Sequence, residues 1–241
     1  MRASPHHLLG PLTNASVAVT QPRREGTRTR VRQELAGAVG PLSAACTALV
    51  EHPRLRELWP EYLVLQHQII RATVPLTEAA LERARTLPEG DPLRAPLCGY
   101  LEEHVDEELH HDDVLLDDLE FLGVSRESTL ERMPSTAVAT LVGSQYYWIF
   151  HHHPLAFLGY VLLMEGYPPT RELIDDLMTR TGYPEQAFRT FTQHAELDPG
   201  HRDHLDRTLD SMPLTASHEA MIVASAATTA GLAGQALEEI L

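Results

Sequence analysis

Two seven-residue patterns, His104-x3-Glu108-x2-His111 and His194-x3-Asp198-x2-His201, constrain the chain more than any other feature. Each places two imidazoles and a carboxylate at i, i+4 and i+7. At about 100° per residue these positions fall within roughly 60° of one another on one helix face. Two such helices packed face to face gather up to four imidazoles and two carboxylates in one volume. That donor set suits iron, manganese or zinc rather than calcium. The sequence therefore reads as a helical metal enzyme.

With 241 residues the chain can bury a core without disulfides or a structural metal, so a metal bound here serves function rather than folding. Aromatics are only 6% of residues, and Ala, Leu, Glu and Arg abound, which favours helix over sheet. The formal net charge of −15 argues against nucleic acid as a partner. The two cysteines, Cys46 and Cys98, stand far apart with no CxxC, which fits a reducing cytoplasm. No apolar run reaches the roughly 18 residues of a membrane span, so no membrane association is expected. The arginine-rich start, with Arg2, Arg23, Arg24, Arg28, Arg30 and Arg32 against Glu25 alone, lacks the apolar segment of a twin-arginine signal. It reads as a disordered tail over residues 1–30, ahead of one domain over 31–241.

Along that domain the pattern predicts a short helix over 31–50, broken near Gly40-Pro41, and a long helix over 55–87 kinked at Pro60 and Pro75. A turn at 88–92 leads to a helix over 93–122, closed by Gly123. A helix in two pieces around Pro154 spans 135–165, a short helix spans 170–181, and a helix over 185–209 carries the second motif. An Ala-rich helix opens after Met212-Pro213 and runs to the C-terminus. No β-alternation or long repeat is visible.

The first motif has a rival register, because Glu103, Glu107 and His110 also stand at i, i+4, i+7. From His111 the same face continues through Leu115, Leu119 and Leu122, whereas from His110 it continues through Asp117 and Asp118. The face of His104, Glu108 and His111 is therefore the buried one. A solvated acidic helix with incidental histidines leaves the second motif unexplained.

In the second motif Pro199-Gly200 falls between Asp198 and His201. Proline removes a helical hydrogen bond, so this segment is expected to loosen and to order on binding metal. The alternative reading, compatible with the first, makes Asp198 an N-cap with Pro199 at N1. Glu165, at the end of an apolar run, either faces the metal or marks a helix end. Of His151, His152 and His153 at most one can join a site: His151 lies on the face of Glu165, and His153 is placed to cap the kink. Tyr147, His151, Tyr160 and Arg71 are candidate pocket residues, although packing and surface roles are the default for the tyrosines and the arginine. His67 and Glu78 share the apolar face of the long helix and are weaker candidates for an extra ligand or pocket group.

The order Glu-x2-His, then Glu, then His-x3-Asp-x2-His resembles the haem-oxygenase-like di-iron oxidases and oxygenases over roughly residues 55–240. Its most specific element is His194-Ala-Glu-Leu-Asp198-Pro-Gly-His201. The resemblance implies an up-and-down bundle of about seven helices. It also implies six ligands to two Fe(II), namely Glu108, His111, Glu165, His194, Asp198 and His201. His104 stands where some relatives place a carboxylate, as a ligand or as a neighbour of the ligands. The implied activity is O2-dependent oxidation of a small, amino-acid-like substrate in bacterial specialised metabolism, by N-oxygenation, desaturation, C–C cleavage or cyclisation. Arg71 could hold a substrate carboxylate. The expected partners are that substrate, an external electron donor and a second copy of the chain. A ferritin-like iron-handling protein would need a second Glu-x2-His, and a metal-free haem-oxygenase-like cofactor-synthesis enzyme would usually need a nucleophile.

Overall fold

Small residues allow the closest helix packing in the molecule. A side chain on Gly159 would overlap the carbonyl oxygen of Ile222, and one on Gly234 would come within 3.3 Å of the backbone of Leu42. The Ala-rich C-terminal helix thus touches two neighbours backbone to backbone and forms the axis of the bundle. The computed structural model describes residues 26–241; the expected tail up to residue 25 lies outside the described residues.

The described residues form α1 (Thr27–Ala36), α2 (Gly40–Glu51), α3 (Leu55–Ile70), α4 (Thr73–Arg85), α5 (Arg94–Glu108) and α6 (His111–Phe121). They continue through α7 (Arg126–Glu131), α8 (Thr136–His151), α9 (Phe157–Met164), α10 (Arg171–Thr181), α11 (Arg189–Ser211) and α12 (Ala216–Glu238). Short 3-10 turns at Pro154–Ala156 and Glu185–Phe188 precede α9 and α11, and the described residues include no strand. The all-α expectation holds, but the helical segments outnumber the expected seven because several long helices are divided. α12 packs on α2, α8 and α9. By length and composition it could cross a membrane, which the reading of apolar runs missed, and half of its apolar stretch is buried in the bundle.

Where the structure departs from the expected boundaries, the cause is local. α1 begins at Thr27, inside the expected tail, because its arginines find acids: Arg28 pairs with Asp210 at 3.1 Å, Arg32 with Asp206 at 2.8 Å, and Arg30 with Glu219. The expected helix over 55–87 is two helices divided at Arg71–Ala72. Pro60 sits inside α3 without ending it. The carbonyl of Arg56, four residues earlier and deprived of its helical donor, accepts the Tyr183 hydroxyl at 3.1 Å instead. Pro75 lies in the first turn of α4, where a missing N–H costs nothing.

The helix expected over 93–122 is broken inside the first motif. Leu109, with φ −57° and ψ 128°, leaves the helical region and His110 is left-handed, with φ 71°, so Glu108 ends α5 and His111 opens α6. A non-glycine residue in that region costs on the order of 1–3 kcal/mol and is held by its surroundings. The second motif lies within the unbroken α11, which runs through Pro199. Pro199 is therefore not the first residue of a new helix, and Asp198 is not its cap. An aromatic cluster sets the start of α11: Trp59 of α3 stacks on Phe188 at 5.1 Å and meets Phe191 at 5.2 Å. Burying such rings contributes about 1.5–3 kcal/mol each.

Candidate metal centre

The helix ends and turns bring seven titratable side chains to one buried place. α5 contributes His104 and Glu108, α6 contributes His111, and Glu165 caps the C-terminus of α9. α11 contributes His194, Asp198 and His201. His104 is fully buried, and Glu108, His111, Glu165, Asp198 and His201 are all buried as well. The rival register is largely outside, with Glu103 and His110 exposed, but Glu107 is only half-exposed. The leucine argument holds at Leu115 and Leu119, which are fully buried. Its other half is corrected: Asp118 is fully buried too, because its carboxylate accepts Thr190 N–H at 2.8 Å and Arg189 Nε–H at 3.1 Å. Asp118 thereby fastens α6 to the first turn of α11.

His194 Nδ1 lies 2.9 Å from Asp198 Oδ1, His111 Nδ1 3.3 Å from Glu108 Oε2, and His104 Nε2 3.3 Å from Glu165 Oε1. His201 Nδ1 lies 3.7 Å from Glu165 Oε2 and 3.8 Å from Asp198 Oδ1. Two donors about 2.1 Å from one ion, at right-angled to tetrahedral geometry, stand roughly 3.0–3.4 Å apart, so the His111–Glu108 and His104–Glu165 pairs, both at 3.3 Å, match shared coordination, whereas His194 and Asp198 are hydrogen-bonded. His104, Glu108 and Glu165 each offer a donor atom within 4.8 Å of the others. Among the described residues, buried polar atoms without a hydrogen-bond partner gather here: both nitrogens of His104, Glu108 Oε1, His111 Nδ1, Glu165 Oε2 and His201 Nδ1. Orphaned polar atoms in a core are costly unless something not in the chain satisfies them. The donor set and the orphaned atoms fit iron.

The electrostatics are those of carboxylates and imidazoles crowded out of water. Burial by itself lowers the basicity of His104, but the carboxylates of Glu165, Glu107 and Glu108 outweigh it and raise the pKa to about 9. Burial pushes Glu165 up to about 8, against the pull of His104 and with the help of the Glu108 and Asp198 charges. Burial also opposes ionisation of Glu108, yet His111 and His104 hold it below the ordinary carboxylate value. For His194 the hydrogen bond that its Nδ1–H donates to the Asp198 carboxylate overrides burial and raises the pKa.

The remaining candidates separate. Tyr147 is 62% exposed and His151 is exposed, since the inner face of α8 is formed by Ala137, Val138, Leu141, Gln145 and Ile149. Neither lines the cavity that adjoins the cluster. His153 caps the turn, its Nδ1 accepting Leu155 N–H at 3.1 Å. Glu78 faces solvent, because division of the long helix removes it from the apolar face of His67. His67 is fully buried with both nitrogens unpartnered, and burial lowers it to about 4, but its charged neighbours are Arg71, Asp112, Asp113 and Arg126 rather than the ligand cluster. Tyr160 is a packed core aromatic, its hydroxyl 3.1 Å from Thr73 Oγ1.

A cavity of about 150 Å³ adjoins the centre. Glu108, Glu165, His194 and Asp198 form its polar end, while its walls are mainly apolar, including Leu65, Ile69, Ile70, Phe191 and Leu237. Among the described residues no arginine or lysine lines it, so Arg71 is off the wall. Sequence reasoning missed Gln193, whose Nε2 is 3.4 Å from His111 Nε2, and Tyr100, which stacks on His104 at 5.5 Å. The spacing of Tyr100, four residues before His104, was the available signal.

Comparison with known proteins places this geometry. None of the curated proteins matches the sequence. A domain of unknown function with a heme oxygenase-like fold from Shewanella denitrificans is similar with a TM-score of 0.75 at 18% identity, over 88% of this chain and 90% of that one. A TenA homolog from Pseudomonas syringae gives 0.65 at 13% identity, over 94% and 99%. Heme oxygenase from Leptospira interrogans gives 0.65 at 17% identity, over 89% and 100%. These likenesses show a haem-oxygenase-like fold. Residues 70–234, more than half of the chain, match the sequence profile of the iron-containing redox enzymes, and the chain belongs to that family.

Proposed function

We propose that the protein is a non-haem di-iron enzyme that uses O2 to oxidise a small organic molecule. The observation that carries this reading is the convergence of four imidazoles and three carboxylates on orphaned buried donor atoms. Glu108, His111, Glu165, His194, Asp198 and His201 hold the two irons. Iron bound there supplies the redox chemistry and the activation of O2. Glu165 lies between His104 and His201, with one carboxylate oxygen facing each ring, which supports its role as a ligand.

The cavity shapes the rest of the proposal. With no arginine or lysine among the described residues of its wall, it gives no support to the amino-acid-like substrate that Arg71 was expected to hold; it suits a molecule with an apolar body and one polar end at the irons. The aliphatic walls exclude water from the reacting end, and Tyr62, Gln66, Thr73, Tyr167 and Thr190 are neutral polar groups on the wall that can orient it. The cysteines do not favour a metal-free, nucleophilic alternative, since burial pushes the Cys46 thiol up to about 12. The test is anaerobic addition of Fe(II) followed by O2. Uptake of about two irons per chain and oxygen consumption on mixing support the proposal, and tight retention of a single zinc without iron uptake counts against it.

A further inference from the structure

One half-exposed carboxylate faces both imidazoles that flank Glu165. His104 turns Nε2 toward Glu165 Oε1 at 3.3 Å and Nδ1 toward Glu107 Oε2 at 3.8 Å. His201 turns Nδ1 toward Glu165 Oε2 at 3.7 Å and Nε2 toward the same Glu107 Oε2 at 4.0 Å. Glu165 and Glu107 therefore bracket the two rings, one from inside the centre and one from its solvent side. The outer separations are ion-pair distances, about 1 Å longer than a formed hydrogen bond. Rotation of the Glu107 carboxylate, whose side chain is 31% exposed, can close them.

A neutral imidazole has one N–H, and the hydrogen bond made by that N–H decides which nitrogen keeps a lone pair for a metal. Donation from His104 Nδ1 to Glu107 leaves Nε2 free toward the centre. Donation from His201 Nε2 to the same carboxylate leaves Nδ1 free. Tyr100, stacked on His104 with an interplanar angle of 15°, keeps that ring in the required plane. Carboxylates that accept the second N–H of a metal-bound histidine orient the ring and increase its donor strength.

We propose that Glu107 is the positioning residue for a pair of metal-binding imidazoles, setting His104 and His201 in opposite tautomers and making His104 a seventh ligand, through Nε2. The proposal rests on the two-iron reading above. It also reverses the expectation from the helix register that Glu107 belongs to the solvated face.

Two measurements test it on the full-length protein. In 15N-histidine NMR of the Zn(II)-loaded chain, His104 should show a metal-bound Nε2 and protonated Nδ1, and His201 the reverse. In Co(II) titrations followed by the d–d bands, Glu107→Ala should weaken one of two binding steps by about 10–100-fold. Glu107→Gln, which keeps an acceptor oxygen, should weaken it less, and Glu103→Gln should leave both steps unchanged. A wild-type chain that binds two Co(II), with Glu107→Ala binding both as tightly, overturns the role of Glu107 and leaves the two-metal reading standing. Fewer than two Co(II) bound by the wild type overturns that reading and this proposal together. Should Glu107→Ala fail to fold, the NMR decides alone: the same tautomer at both rings refutes the proposal, and opposite tautomers support it.

Discussion

The carboxylate of Asp118 accepts the backbone N–H of Thr190 at 2.8 Å, so the helix that carries His111 grips the first turn of the helix that carries His194, Asp198 and His201. Removing that carboxylate leaves a buried donor unsatisfied and Arg189 without one of its acceptors. We expect Asp118→Ala to lower stability by about 1–3 kcal/mol, with Asp118→Asn less affected because it retains an acceptor. Urea unfolding checks this. An unchanged midpoint for Asp118→Ala would mean that α6 and α11 are held together by their apolar contacts alone.

His110 gives a second expectation. Its φ of 71° is cheap for glycine and strained for histidine. His110→Gly should therefore be neutral or stabilising by up to about 1 kcal/mol, and metal uptake should persist. Glu108→Ala and His111→Ala, on either side of the break, should instead lose uptake. Metal analysis of the three purified variants separates these outcomes, and loss of metal in His110→Gly would show that the imidazole itself takes part.

The pKa shifts of His104 and Glu165 make a prediction about acid and base. Folded, the two groups hold protons up to about 9 and about 8, whereas their ordinary values are 6.5 and 4.5. Both contribute stability that is fully present below the ordinary values. It is lost as pH rises, between about 4.5 and 8 for Glu165 and between about 6.5 and 9 for His104. In the presence of a chelator the melting temperature should fall from pH 6 to pH 9. Metal must displace these protons, so metal affinity should rise over the same range. A chelated protein that melts higher at pH 9 would contradict the shifts.

Pro199 leaves the Ala195 carbonyl without its helical donor, four residues back in α11. Pro199→Ala supplies that donor and should slow amide exchange from about residue 193 to 205 in chelated protein. Fe(II) should slow exchange there in the wild type by a larger factor than in the variant. Full protection in the chelated wild type, unchanged by Fe(II), would remove any link between the proline and metal binding.

The seven-residue patterns pointed to side chains that the fold does gather, because burial and helical spacing agree: His104 and Glu108 share α5, and His194, Asp198 and His201 share α11. Spacing could not show the break at Leu109–His110, where His111 reaches the centre across a left-handed residue instead of along a continuous helix. The leucine and aspartate counts separated the faces correctly at Leu115 and wrongly at Asp118, since a buried carboxylate is indistinguishable in sequence from a solvated one until its donors are known. His151 shows a related limit. Helical phase does not carry from it to Glu165 across Pro154, where the chain turns between α8 and α9.

The pairing of Arg32 with Asp206 has a practical consequence for anyone trimming the arginine-rich start of this chain. A cut placed at residue 33, just past the last of those arginines, would delete the latch on the C-terminal half of α11 together with those of Arg28 and Arg30. Three carboxylates, Asp206, Asp210 and Glu219, would then lose their counter-charges in a protein already at −15. A shortened form of this kind would also lose most of α1, and an expression clone that begins no later than residue 25 keeps all three pairings.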